Sequence, residues 1–290
     1  MAIPKVALGS AQWGLQYGIA GHPKASKNEI SKILALAALN NIKVIDTAHQ
    51  YGNALDILGS LSHIIKKNKF KIVLKIPKIP ENVNLWKIQD VKAQIFADFA
   101  RLKTDYVDTL MVHDASVFLE PGADIIYDMI VNMKYLGFCR QVGVSVYDPN
   151  ELKIILSRYG LDVVSFPANI MDQRFQNKSV EYMSALRIEM HARSLFLQGI
   201  LLMPYNQAMD KLTWEFQRVF KRIYAKFRGD MLKACLSYLR QQYPINYGVI
   251  GVHSVEQLSE IIQTYNGINS WYNFDSFEIN DLRVIDPRKW

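Results

Sequence analysis

VGVSVYDPNELKIILSRYGLDVVSF, residues 142–166, holds one complete strand–helix–strand unit. Val142–Ser145 and Val163–Phe166 are short and apolar on both faces, as strands covered from two sides in a parallel sheet must be. Between them, Asp148-Pro149-Asn150-Glu151 opens a helix. Aspartate caps the first turn, proline suits the first helical position, and glutamate three residues past the cap can reach back to an open amide. Apolar residues then recur at helical spacing through Pro149–Arg158, which predicts a crossover helix between two parallel strands.

The same alternation extends in both directions. Strands are predicted at Val6–Leu8, Lys43–Ile45, Ile72–Lys75, Val107–Val112, Val142–Ser145, Val163–Phe166, Glu189–Arg193 and Tyr247–Ile250. Helices are predicted at Lys27–Leu39, Leu55–Lys66, Leu85–Leu102, Ile125–Leu136, Pro149–Arg158, Val180–Ile188, Met231–Gln242 and Val255–Gln263. Ser26-Lys27-Asn28-Glu29 and Ser254-Val255-Glu256-Gln257 repeat the capping-box pattern. Eight alternations without a linker predict an α/β fold, a single-domain (β/α)8 TIM barrel over residues 1–290, with 264–290 as a tail near or around it. An open doubly wound sheet is the alternative, but no Gly-x-Gly-x-x-Gly follows the first strand.

Composition bounds the class. The chain has 290 residues, 50% of them hydrophobic and 21% charged, which excludes disordered, collagen-like and disulfide-scaffold proteins. The net charge of +7 is mild for this length and suits small anions as well as nucleic acid. No nucleic-acid-binding module is recognisable, so no nucleic-acid partner is expected. Two cysteines, Cys139 and Cys235, make no disulfide framework and point to a reducing compartment. The stretch Met1-Ala2-Ile3-Pro4-Lys5-Val6 lacks a charged segment followed by an apolar one, so no secretory leader is expected. No apolar run approaches the ~20 residues of a membrane span, and a cytoplasmic location follows as the expectation. His22, His63, His191 and His253 have no ligand spacing with the cysteines, so no metal is expected. Oligomeric state stays open.

In such a barrel the C-terminal strand ends converge on one mouth. Strand two runs into Asp46-Thr47-Ala48-His49-Gln50-Tyr51-Gly52, strand three ends at Lys75, and strand four leads to His113. These bring together a carboxylate, a phenol, an ammonium and an imidazole. A free phenol, with a pKa of ~10, donates protons poorly at neutral pH. An adjacent ammonium favours the phenolate, a carboxylate holds the ammonium charged, and an imidazole can orient a substrate oxygen. The set suits protonating an oxygen while the adjacent carbon is attacked.

The stretch Asp46-Thr47-Ala48-x-x-Tyr51-Gly52, then Leu58-Gly59, Leu74-Lys75 and Arg101-Leu102-Lys103-Thr104-Asp105-Tyr106-Val107-Asp108 leading to His113 closely resembles the aldo-keto reductases. The likeness continues through Gly143-Val144-Ser145, Pro167-x-Asn169, Arg193-Ser194-x-x-x-Gln198-Gly199-Ile200-Leu201 and Gly251-x-x-Ser254-x-Glu256-Gln257-Leu258, in family order along essentially the whole chain. Gly-Val-Ser-Val-Tyr and His-Ala-Arg-Ser-Leu-Phe-Leu-Gln-Gly resemble a bacterial branch often linked to surface-sugar biosynthesis. The resemblance implies metal-free, NAD(P)H-dependent reduction of an aldehyde or ketone to an alcohol, with a sugar-derived or other polar substrate favoured. Tyr51 would be the general acid, tuned by Lys75 and Asp46, and His113 would polarise or orient the carbonyl. NADPH is the implied cofactor, with NADH open.

The resemblance also implies a cofactor bed of Gly9, Ser10, Ala11, Asp46, Ser145, Ser165, Arg193, Ser194, Gly199, Gly251, His253, Ser254 and Gln257, with Trp13, His49 and His113 toward the substrate. Several of these depart from the family pattern. Ser145-Val146 stands where Ser-Asn commonly holds the nicotinamide carboxamide, and Ser165 replaces a glutamine. Arg193 aligns with the aromatic residue that stacks on the nicotinamide; a planar guanidinium can also stack. His253 aligns with the basic residue that grips a 2′-phosphate, and Ile261 with an asparagine at the adenine. These losses motivate the rival reading of a nucleotide-binding regulatory or scaffold subunit with little or no turnover. Phe216, Val219, Phe220, Ile223, Tyr224 and Phe227, interleaved with basic residues, read either as a barrel-packing helix or as a membrane-surface one. The tail aromatics Trp271, Tyr272, Phe274 and Phe277 read equally as a cover over the mouth or as packing on the outside.

Overall fold

The computed structural model describes residues 3–19, 23–176, 178–210 and 213–290. Met1 and Ala2, which belong to the leader reading, and His22 lie outside them. Eight strands, β1 (Lys5–Gly9), β2 (Val44–Ala48), β3 (Lys71–Lys75), β4 (Val107–Val112), β5 (Cys139–Ser145), β6 (Val163–Pro167), β7 (Glu189–Arg193) and β8 (Tyr247–Gly251), close in sequence order into a parallel barrel. β1 closes the ring by pairing with β8 in the register Ala7 to Val249 and Gly9 to Gly251.

Strand alternation positions the site. Ala7, Val44, Val73, Met111, Val163 and Val249 form a small apolar plug inside the barrel, separate from the large core between barrel and helices. Side chains on a strand repeat every second residue on one face. Two residues further along six strands therefore stand Gly9, Asp46, Lys75, His113, Ser165 and Gly251, above the plug at the C-terminal rim.

The crossover helices follow the predicted pattern, with local differences. The span predicted as one helix over Leu55–Lys66 breaks at Leu61 into Ala54–Ser60 and Ser62–Lys67. Between β7 and the Met231–Arg240 helix, the chain inserts Tyr205–Met209 and Trp214–Lys226. Phe216, Val219, Phe220 and Ile223 of the latter are buried, so its apolar face is a packing face. Its basic side meets the tail: Arg222 donates to the Ser276 carbonyl at 3.0 Å and Lys226 to that of Asn273 at 2.9 Å. Of the tail aromatics, Tyr272, Phe274 and Phe277 pack outside the barrel, with Phe274 stacked on Phe227 and edge-on to Tyr238, while Trp271 is exposed. The last turn, Pro287–Lys289, nevertheless returns to the mouth, which Pro287 and Arg288 line.

Of the predicted capping boxes, the one at Ser26 uses its glutamate elsewhere. Ser26 accepts from the Glu29 amide, while the Glu29 carboxylate, 3.5 Å from Lys32, turns to another helix. It accepts at 2.7 Å from the amide of Val255, the first residue of the Val255–Asn266 helix. No described helix is long and apolar enough to cross a membrane.

Candidate active site

Asp46 and Lys75, on adjacent strands, are buried at 3% and 2% exposure and hydrogen-bonded as an ion pair. A lone ammonium in such a place would be costly, so the pair must act as a unit. The Lys75 ammonium donates to the Tyr51 hydroxyl at 3.3 Å. Burial pulls the lysine pKa down, but attraction to Asp46 and the phenol outweighs this and holds it above its ordinary value.

Tyr51 comes from the loop after β2, and that loop is held from both sides. Gly14 packs so closely on it that a Cβ there would lie 1.8 Å from the Tyr51 carbonyl oxygen. Arg101, in the Leu85–Leu102 helix, donates to the Gly52 carbonyl at 2.8 Å and forks onto Asp56 at 3.1 and 2.8 Å. Gly52 turns the loop at φ +56°, which glycine adopts at little cost. Burial pushes the Tyr51 pKa above its ordinary value, Lys75 pulls against that, and the Asp46 charge adds to the rise. In this state the phenol is protonated and the ammonium restrains an otherwise larger shift.

His113 stands edge-on to the Tyr51 ring, with centroids 6.0 Å apart. Burial, reinforced by Lys75, lowers its pKa to about 4, so the ring is neutral at neutral pH. Its Nδ1 is 2.9 Å from Gln50 Oε1, which ties the ring's orientation to the tyrosine loop. A neutral imidazole presents one N–H and one lone pair, and it adds no cation beside Lys75.

These groups floor a cavity of about 1120 Å³ that runs along the mouth from Tyr51 and His113 to the start of the Val255–Asn266 helix. That exceeds the usual ~300–1,000 Å³ of a single small-ligand pocket. Ten of the predicted bed residues line it: Gly9, Ala11, Asp46, Ser145, Arg193, Ser194, Gly199, Gly251, His253 and Gln257. The cavity can take an extended dinucleotide along the rim and leave room over Tyr51. Two further observations fit such an occupant. Buried Arg193 Nε and Gln12 Oε1, both on lining residues, have no protein partner. At Gly251 a Cβ would approach Gln12 Oε1 to 2.5 Å, so side-chain volume there would crowd the cavity wall.

Other expected residues are placed elsewhere. Trp13 is fully buried and donates to the Val252 carbonyl at 2.9 Å, so it packs beneath the mouth and does not line the cavity. His49 turns outward, with Nδ1 2.8 Å from Asp98, and is not a lining residue either. Ser10 and Ser165 are fully buried, with unpartnered hydroxyls, beneath the lining surface. Ser254 caps its helix by accepting from the Gln257 amide at 3.2 Å. Arg193 donates to the Val146 carbonyl at 2.9 Å and lies 3.9 Å over the Tyr147 ring, whose centroid is also 3.7 Å from the Arg288 guanidinium. Among the described residues, no group of three or more His, Cys, Asp or Glu is arranged to hold a metal ion.

The sequence reading missed Gln12, Tyr17, Tyr147, Gln198, Tyr205, Asp230 and Arg288, all of which line the cavity. Tyr147 and Gln198 sat inside motifs already noted, and Gln12 lies beside the first strand. Asp230 and Arg288 come from an inserted segment and the tail, where strand spacing gives no signal.

The family model described as the Aldo/keto reductase family matches residues 5–275. The uncharacterized oxidoreductase YqkF of Bacillus subtilis is 25% identical over 260 residues, covering 83% of each chain. The NADH-specific methylglyoxal reductase of Escherichia coli is 20% identical over 292 residues, covering 89% of each. The solved structure of the aldo-keto reductase AKR11C1 from Bacillus halodurans, in its holo form, superposes with a TM-score of 0.73 at 14% identity, over 100% of this chain and 96% of that one.

Proposed function

From the premise that the chain belongs to the aldo/keto reductase family, an oxidoreductase family, we propose that it reduces an aldehyde or ketone to an alcohol, with Tyr51 as proton donor. The observation that carries this is the Asp46–Lys75–Tyr51 chain of hydrogen bonds ending in a cavity beside neutral His113.

A nicotinamide dinucleotide, when bound, supplies hydride to the carbonyl carbon. The protein's part is placement and charge. Gly9, Ala11, Ser145, Arg193, Ser194, Gly199, Gly251, His253 and Gln257 would hold the dinucleotide along the rim. The Tyr51 hydroxyl donates a hydrogen bond to the carbonyl oxygen and gives up its proton as charge develops there. The Lys75 ammonium, 3.3 Å away, stabilises the phenolate that results. Asp46 keeps Lys75 charged and fixed without competing for the substrate. His113 donates to the carbonyl oxygen from Nε2 when the Gln50 amide turns its NH2 toward Nδ1, and the ring's neutrality avoids a second cation that would repel Lys75.

A polar, sugar-derived carbonyl fits the mouth best. Tyr17 and Gln198, hydrogen-bonded to each other at 2.9 Å, and Tyr147, Tyr205 and Asp230 offer hydroxyl, amide and carboxylate groups to a polyhydroxylated substrate. We place the protein in the cytoplasm, where both cysteines stay reduced; both are free and buried. The test is oxidation of NADH and NADPH by the purified protein across a panel of aldehydes and keto-sugars. Turnover on polar carbonyls is expected; binding of dinucleotide without turnover of any carbonyl would support the regulatory reading instead.

A further inference from the structure

We infer that the protein selects NADH over NADPH, and that Glu29 is the residue that makes the choice. The inference rests on the reductase reading. A helix N-terminus is the natural receptor for phosphate, because its first amides have no partner inside the helix and its dipole favours negative charge. The Val255–Asn266 helix begins at the end of the cavity remote from Tyr51, where His253, Gln257, Glu260 and Ile261 line the wall. Here that receptor is already filled by the chain's own groups. The His253 amide donates to Gln257 Oε1 at 3.1 Å, and the Gln257 amide to Ser254 Oγ at 3.2 Å. Glu256 places a further carboxylate in the first turn of the helix. The Val255 amide donates to Glu29 Oε1 at 2.7 Å, across 226 residues of sequence.

Glu29 is thus a carboxylate brought from another helix onto an amide that lies between the lining residues His253 and Gln257. Within its own capping box, Ser26 accepts from the Glu29 amide while the Glu29 carboxylate turns to Val255. A phosphate carried on the adenosine ribose would have to displace this carboxylate and then remain beside it. Glu256 and Glu260 add two more negative side chains nearby. Lys32, 3.5 Å from Glu29 and largely exposed, offsets one of these charges only weakly. None of the described residues lining that end is a lysine or arginine. The unphosphorylated ribose, by contrast, brings no negative charge to this end and does not have to displace Glu29.

The experiment is equilibrium binding of NADH and of NADPH, by calorimetry or quenching of tryptophan fluorescence, to the wild type and to Glu29→Gln. Glutamine keeps an oxygen for the Val255 amide, so the helix cap survives while the charge is lost. The wild type is expected to bind NADH about tenfold or more tightly than NADPH, by a margin that shrinks with added salt. Glu29→Gln is expected to close most of that gap by gaining NADPH affinity, with NADH affinity held within about twofold. NADPH binding the wild type as tightly as NADH, or an unchanged ratio in Glu29→Gln, would overturn the inference. Binding of neither nucleotide would overturn the reductase reading and this inference with it.

Discussion

A methyl group at Gly14 should disable the enzyme without touching any reacting group. In Gly14→Ala the new Cβ would lie 1.8 Å from the Tyr51 carbonyl oxygen, 2.6 Å from the Ala54 amide nitrogen and 2.9 Å from the Ala54 Cβ. The two closest atoms are backbone, so no rotamer change relieves the contact. Reaching an ordinary separation requires the Tyr51 loop or the Ala11–Gly14 turn to move by more than ~1 Å. The Lys75–Tyr51 bond is already 3.3 Å long, near the limit for a hydrogen bond, and a shift of that size breaks it. Misplacing a catalytic group by ~1 Å costs about 100-fold in rate, and overpacking costs a further ~1–3 kcal/mol of stability. The assay is single-turnover reduction at saturating dinucleotide and carbonyl, with the melting temperature and dinucleotide affinity measured alongside. Gly160→Ala is the control, because its Cβ meets only the Tyr127 hydroxyl, at 3.4 Å. A folded Gly14→Ala protein that binds dinucleotide and turns over at the wild-type rate would refute the claim that Gly14 sets the Tyr51 position.

Three further outcomes follow from the same geometry. Lys75→Met should lower unfolding free energy by about 3–5 kcal/mol in a denaturant titration, because it strands the Asp46 charge; Asp46→Asn combined with Lys75→Met should recover most of that stability and none of the activity. His113 has its pKa lowered to about 4, so its contribution to stability is complete above its unfolded value of 6.5 and is lost as pH falls from there toward 4. That loss is up to ~3 kcal/mol before solvent screening, and His113→Asn should flatten it in unfolding curves taken across that pH range. Trp13→Phe should cost ~1–3 kcal/mol by leaving the Val252 carbonyl unpaired, while the KM for carbonyl stays unchanged; a large KM effect would return Trp13 to the substrate pocket.

Much of the barrel is legible because a buried parallel strand and an amphipathic crossover helix each leave a periodic mark. β4 and β7 begin and end where their apolar pattern does, as do the helices Lys27–Leu39, Leu85–Leu102 and Pro149–Arg158. Spacing also reveals the tetrad, since Asp46, Lys75 and His113 each lie two residues beyond a plug residue on the same strand face. What the sequence hides is long-range partnership. Glu29 reads as half of a local capping box, and nothing near it announces Val255. Ser254, by contrast, is legible as the cap it forms, since its capping-box pattern is local. Trp13 and His49 lie in the right segments, yet whether a side chain faces the cavity or the helix layer depends on Val252 and Asp98, which approach from distant parts of the chain. The direction of the Tyr51 pKa shift is a further case: the lysine beside it suggests a lowered value, but burial outweighs it.

The most direct measurement is the rate of carbonyl reduction in a single turnover by Tyr51→Phe, with dinucleotide affinity determined on the same sample. Loss of the phenolic proton should slow reduction by on the order of 100-fold or more while dinucleotide binding is retained. A phenylalanine enzyme that binds dinucleotide and reduces the carbonyl as fast as the parent would show that some other group delivers the proton.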